Sequence, residues 1–80
     1  MKNVRIKYFA FLREKAGVDS ELIQTQAQTY RELYLELSNK YQFTLPENII
    51  QVAVNDEYSQ MNQIIQDQDQ IVFIPPVAGG

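Results

Sequence analysis

Apolar and polar residues alternate from Val4 to Phe9, with Val4, Ile6 and Tyr8 on one side and Arg5, Lys7 and Phe9 on the other. This period of two predicts a half-buried strand. Ala10 to Ala16 then reads as a strand end passing into a short helical turn, closed by Gly17. Glu21 to Gln26 has Leu22 and Ile23 adjacent rather than alternating, and its place after Gly17-Val18-Asp19-Ser20 predicts the returning arm of a hairpin. The pattern changes at Thr29. Tyr30, Leu33, Tyr34, Leu37 and Tyr41 recur at helical spacing, with Arg31, Glu32, Glu36, Asn39 and Lys40 on the polar side. Thr29 followed by Glu32 fits a capping box, so the helix is predicted from Tyr30 to Lys40. Phe43 to Asn48 is a connector holding Pro46, and Ile50, Val52 and Val54 alternate again as a strand. Asn55-Asp56-Glu57 supplies turn chemistry. Tyr58 to Gln66 is irregular, anchored by Ile64-Ile65. Asp67-Gln68-Asp69 is a polar turn before a last strand, Gln70 to Ile74.

The order strand, strand, helix, strand, strand in one short chain predicts an α+β fold, a mixed sheet covered on one face by one main helix. In that topology the first and last strands are central, parallel neighbours. The architecture implied is the ubiquitin-like β-grasp, spanning residues 1–76, with residues 77–80 as a flexible C-terminal tail. The helix tyrosines are expected to pack on the sheet rather than form a ligand cage, because a small sheet needs one large apolar helix face to cover it.

Composition narrows the function. A domain of 80 residues hides only about 60% of its unfolded surface, which leaves little room for an internal catalytic cleft. A carrier, adaptor or modifier suits this scale better than an enzyme with its own active site. The net charge is −3, and Lys2, Arg5 and Lys7 form the only basic grouping, so phosphate-driven nucleic-acid binding is not expected. Neither a signal peptide nor a membrane span is predicted, and the expected location is the cytoplasm. The sequence has no cysteine and no histidine, which removes thiolate nucleophiles, imidazole bases and the common zinc and haem ligands. No bound cofactor or metal is expected.

The last strand runs into Pro75-Pro76-Val77-Ala78-Gly79-Gly80. The prolines restrict φ and favour an extended path away from the domain. Beyond Val77 no side chain extends past Cβ, so this tail is narrow enough to thread a tight channel. Four residues past Pro76 reach about 13 Å at roughly 3.3 Å each. The reading is that the functional group is the carboxylate of Gly80, with Gly79 allowing close backbone approach. The alternative is a stub that ends in glycine without consequence.

Three segments carry a resemblance: Tyr8-Phe9-Ala10-Phe11-Leu12-Arg13-Glu14, Val52-Ala53-Val54-Asn55, and Asp67 through Gly80. In order and nearly over the whole chain, they resemble the small subunit of molybdopterin synthase, a ubiquitin-like sulfur carrier. The last block is the most specific. Gln68 departs from the family pattern, which has glycine between the two acidic residues. The resemblance implies that an ATP-using, ubiquitin-activating-type adenylyltransferase activates the Gly80 carboxylate, and that a sulfurtransferase supplies sulfur for a thiocarboxylate. The tail would enter a large synthase subunit, in a complex of two large and two small subunits, and give its sulfur to cyclic pyranopterin monophosphate. Two transfers would complete the dithiolene of molybdopterin. Sulfur carried on Gly80 also agrees with the absence of cysteine.

Partner contacts are expected on the folded body as well. Phe9 has opposite parity to Val4, Ile6 and Tyr8, and Ile74 opposite parity to Ile71 and Phe73, which puts both on the outer sheet face. Tyr58, Pro75, Pro76, Val77 and Ala78 complete the expected interface, since exposed apolar clusters mark contact surfaces. Asp67 and Asp69 are read as turn residues rather than paired catalytic carboxylates. Arg13-Glu14 is read as a local ion pair or solvated turn. Rival functions with the same terminal chemistry are a sulfur carrier for thiamine or thio-tRNA synthesis and a protein modifier joined to lysines.

Overall fold

A computed structural model of the chain describes residues 1–76. Its strands are β1 (Lys2–Tyr8), β2 (Ser20–Thr25), β3 (Gln51–Val54), β4 (Glu57–Ser59) and β5 (Gln70–Ile74). Its helices are α1 (Ala10–Ala16) and α2 (Tyr30–Tyr41), with a short 3-10 turn at Glu47–Ile49. The sheet order is β2-β1-β5-β3-β4. β1 and β5 are parallel and central, as the β-grasp expectation requires, and the other pairings are antiparallel.

Local chemistry explains the boundaries. The Thr29 hydroxyl accepts from the Glu32 amide at 3.2 Å and the Glu32 carboxylate accepts from the Thr29 amide at 3.3 Å, closing the predicted capping box. Gly17 ends α1 at φ 78°, a left-handed cap in which its amide reaches the Arg13 carbonyl. Asn55 and Asp56, at φ 53° and 73°, form the two-residue loop between paired Val54 and Glu57, the geometry of a type I′ hairpin.

Four expectations need correction. The stretch from Tyr58 onward is not wholly irregular, because the Asn55-Asp56 turn folds Glu57–Ser59 back as a fifth strand. Three residues are too few to show a period. The Ile64-Ile65 anchor is Ile65 alone: it is fully buried, whereas Ile64 is 54% exposed. Arg13 pairs with Asp19 at 3.6 Å, so the local partner is the loop acid and not Glu14. The short turn after β1 is a seven-residue helix that buries Leu12.

The core lies between the inner sheet face and α2. Val4, Ile6, Tyr8, Val52, Ile71 and Phe73 face Leu33, Tyr34 and Leu37, with Leu12, Phe43, Ile50 and Ile65 closing the ends. Tyr34 meets Phe73 edge-on at 5.3 Å between ring centres, and Tyr8 meets Tyr41 edge-on at 5.9 Å. The helix tyrosines therefore pack, as expected. Their hydroxyls are also satisfied: Glu21 accepts from both Tyr8 and Tyr41 at 2.6 Å, and the Leu45 carbonyl accepts from Tyr34 at 2.8 Å.

These burials have a measurable consequence at high pH. Burial, and then the Glu21 carboxylate, raise the Tyr8 hydroxyl far above its ordinary 10.0. Burial raises Tyr30 and Tyr34 too, with Asp69 adding to the effect at Tyr30. The folded state holds these protons after the unfolded chain has lost them. Their stabilisation is therefore full below about pH 10 and declines as pH rises further. Each such tyrosine contributes a loss of about 1.4 kcal/mol per pH unit in that window. Urea unfolding midpoints should be level from neutral pH to about 9 and fall steeply above pH 10. A flat profile through that range would contradict the packing described.

Candidate functional site

β5 delivers the chain to the site. It begins at a turn held from several sides. Asp69 is 4% exposed and accepts from the Tyr30 hydroxyl at 2.7 Å, the Asn55 side-chain amide at 3.1 Å and the Gln66 backbone at 2.9 Å. Asn55 returns a bond by accepting from the Gln70 amide at 3.0 Å. One buried carboxylate thus ties α2, the β3–β4 hairpin and the start of β5 together. Asp67 is on the surface and accepts from the Asn3 amide at 2.7 Å, an interaction that holds its carboxyl below the ordinary range. Both acids serve the turn, as read from the sequence.

Gln68 sits between them at φ 70°, where a side chain is disfavoured. Its amide nitrogen bonds the Asn3 carbonyl at 2.7 Å, so the turn is retained despite the strain. Gln68→Gly should keep that backbone bond and relieve the steric cost. The expected gain is about 0.5–1 kcal/mol, read from the urea midpoint. A loss of stability would mean that the Gln68 side chain contributes more than its backbone geometry shows.

At its other end β5 emerges between two grooves. The first, of about 550 Å³, lies on the sheet face away from α2 and is lined by Arg5, Lys7, Phe9, Tyr58, Val72 and Ile74, among others. The second, of about 770 Å³, is almost wholly apolar and is formed by Phe9, Ala10, Phe11, Leu45, Ile74, Pro75 and Pro76, with Glu14 at its rim. Phe9 and Ile74 belong to both. Among the described residues, Phe9, Tyr58, Ile74, Pro75 and Pro76 therefore line adjoining grooves.

Their exposures differ. Phe9 is 42% exposed and Tyr58 75% exposed. Ile74 is half-buried, Pro76 exposed and Pro75 buried within the domain. Phe9 reaches this surface because β1 ends at Tyr8 and Phe9 is the extended residue before α1. The Lys7 ammonium lies 5.3 Å from the centre of its ring and that of Lys15 lies 5.8 Å from the Phe11 ring, so cations flank the apolar surface. Sequence reasoning missed Phe11, Leu45 and Val72. Phe11 follows Phe9 by two positions, a pairing that a separate reading of α1 could have marked. Leu45 comes from a connector with no period.

The remaining expected site residues, Val77, Ala78, Gly79 and Gly80, lie outside the described residues. Among the described residues, no helix is long and apolar enough to cross a membrane.

The sequence matches the ThiS family over residues 6–80. It is 32% identical over 80 residues to a molybdopterin synthase sulfur carrier subunit of Arabidopsis thaliana, covering 96% of this chain and 82% of that one. The fold is similar to a solved Pyrococcus furiosus structure assigned as molybdopterin converting factor subunit 1. That likeness has a TM-score of 0.78 and 30% identity, over 96% of this chain and all of the other. It is also similar to a chain in the Helicobacter pylori complex of subunits 1 and 2 of molybdopterin-converting factor. There the TM-score is 0.65 and the identity 26%, over 98% and 99% of the two chains.

Proposed function

The chain belongs to the ThiS family, among the molybdopterin synthase sulfur carrier subunits, and from that premise we propose that Gly80 is where it carries sulfur. A carboxylate is a poor electrophile, so it must first be activated. An oxygen of the Gly80 carboxylate attacks the α-phosphorus of ATP on an adenylyltransferase, and pyrophosphate leaves. A persulfide sulfur on a sulfurtransferase then attacks the acyl carbon and expels AMP. A thiol reductant cleaves the resulting acyl disulfide, leaving a thiocarboxylate on Gly80 and a disulfide on the donor side. The thiocarboxylate sulfur bonds to a side-chain carbon of cyclic pyranopterin monophosphate as that carbon's oxygen substituent leaves, and water then cleaves the acyl–sulfur bond to restore the carboxylate. Two charged tails in succession supply the two sulfurs of the dithiolene.

The folded body presents that tail. The observation that carries this reading is the convergence of the exposed Phe9 and Tyr58 and the half-buried Ile74 at the place where β5 passes into Pro75-Pro76. A partner seated there is positioned to receive Val77, Ala78, Gly79 and Gly80. The large synthase subunit is the proposed occupant, in keeping with the Helicobacter pylori complex of subunits 1 and 2. Residues of that subunit, rather than of this chain, would contact the pterin.

The test is reconstitution. The thiocarboxylate form mixed with a molybdopterin synthase large subunit should convert cyclic pyranopterin monophosphate to molybdopterin. Conversion of a thiamine precursor or tRNA instead would assign the chain to another sulfur pathway. Lysine peptides bearing a Gly-Gly remnant, without pterin conversion, would make it a protein modifier.

A further inference from the structure

The sheet has two edges of different character. β4 is three residues long and begins at Glu57, directly after Asp56 of the turn, so it offers little for another strand to join. β2 has six residues, Ser20–Thr25, and among the described residues pairs only with β1. Long edges are usually guarded by lysine, proline or a bulge. β2 has neither lysine nor proline. Its one charged residue, Glu21, faces the helix side, where Tyr8 and Tyr41 donate to it. Leu22 is 71% exposed on the opposite, uncovered face.

The backbone direction along β2 follows from its pairing. Tyr8 donates to the Asp19 carbonyl at 2.9 Å, and hydrogen-bonded pairs alternate along an antiparallel ladder. Glu21, Ile23 and Thr25 therefore bond β1, and the amides and carbonyls of Ser20, Leu22 and Gln24 point away from it. Arg5, opposite Leu22, agrees: its amide is turned the other way, to the Asp69 carbonyl at 3.0 Å.

We propose that β2 is a self-pairing edge through which two copies of this chain join antiparallel about a two-fold axis at Leu22. A two-fold perpendicular to the sheet keeps each face on its own side, so the axis must pass through a residue. Centred on Leu22, the register sets Leu22 against Leu22 of the second copy and Ser20 against Gln24, and every outward backbone group finds a partner. The two leucines then cover each other on the open face.

Charge placement is self-complementary in this arrangement. On the helix side, Glu36 lies over the Thr25 end, where it accepts from the Thr25 hydroxyl at 2.9 Å, and Lys40 lies over Glu21 at 4.0 Å. Lys2 stands beside Thr25 and Asp19 precedes Ser20. The antiparallel register reverses one copy, so Asp19 meets the Lys2 end and Lys40 meets the Glu36 end. A parallel arrangement would bring like charges together.

The experiment is amide NMR of the full chain across a dilution series up to about 1 mM, where weak small interfaces become populated. Concentration-dependent shifts are expected at Ser20, Leu22 and Gln24. Leu22→Lys should weaken association at least tenfold with an unchanged melting temperature; Gln24→Lys, on the same face, should do likewise. A chain that stays monomeric throughout would overturn the proposal. So would association that maps to Phe9, Tyr58 and Ile74 and ignores both lysine variants, or a β2 edge that accepts only an extended peptide of another protein.

Discussion

Deleting Gly80 is expected to reduce sulfur transfer to the level of a reaction without the carrier, while thermal unfolding stays where it was. The two effects separate because the fold and the proposed chemistry use different parts of the chain. The buried side chains extend from Val4 to Pro75, and the polar ties of the last strand come from Asp69, Asn55 and Gln66. None depends on the last residue. The chemistry, by contrast, requires an acyl carbon placed against a partner's nucleotide and then against the pterin. Shortening the tail withdraws that carbon by about 3.3 Å, a full residue of extended chain. Reactions that depend on close approach and alignment lose orders of magnitude over smaller displacements. Melting curves and pterin conversion on the same preparation check the prediction. Retained conversion would show that Gly80 is not the carrier residue.

Phe9→Arg is expected to have the second-largest effect, on partner binding. Phe9 is shared by both grooves, and its ring is nearly half exposed, so replacing it removes little from the core. Its carbonyl, which accepts from the Leu12 and Arg13 amides at 3.0 and 3.3 Å, is retained by the substitution. Against a partner the change is severe. It replaces an aromatic anchor with a charge that must be desolvated, and it puts a second cation beside Lys7, which now lies 5.3 Å from the ring. Loss of a central anchor costs about 2 kcal/mol or more, roughly thirtyfold in affinity. Titration with the large subunit should show this loss beside a nearly unchanged urea midpoint. A collapsed domain would instead mean that Phe9 supports the fold, and an unchanged affinity would move the interface elsewhere.

The contrast between β5 and β4 shows what was legible in the sequence. Gln70 to Ile74 was readable to the residue because a short apolar, β-branched run is bounded there by an acidic turn and two prolines. The α2 boundary at Thr29 was readable for a similar reason, since capping is local chemistry. β4 was not, because Glu57–Ser59 becomes a strand only by pairing across the Asn55-Asp56 turn. Asp69 was read as a turn residue and is one. Its burial against Tyr30 depends on residues 39 positions apart, a separation no local pattern reports. At the site, parity placed Phe9 and Ile74 together, but Pro75 turns inward and Leu45 joins from a loop. Side-chain periodicity says which face a residue takes. It does not say which loops will gather round it.

The proposed reactive centre is the final acyl group. Intact-mass measurement after incubation with ATP, the adenylating enzyme and a sulfur donor addresses it directly. The predicted result is a gain equal to exchanging one oxygen for one sulfur, confined to the C-terminal peptide and absent without ATP. An unchanged mass, or a gain located anywhere else in the chain, would contradict it.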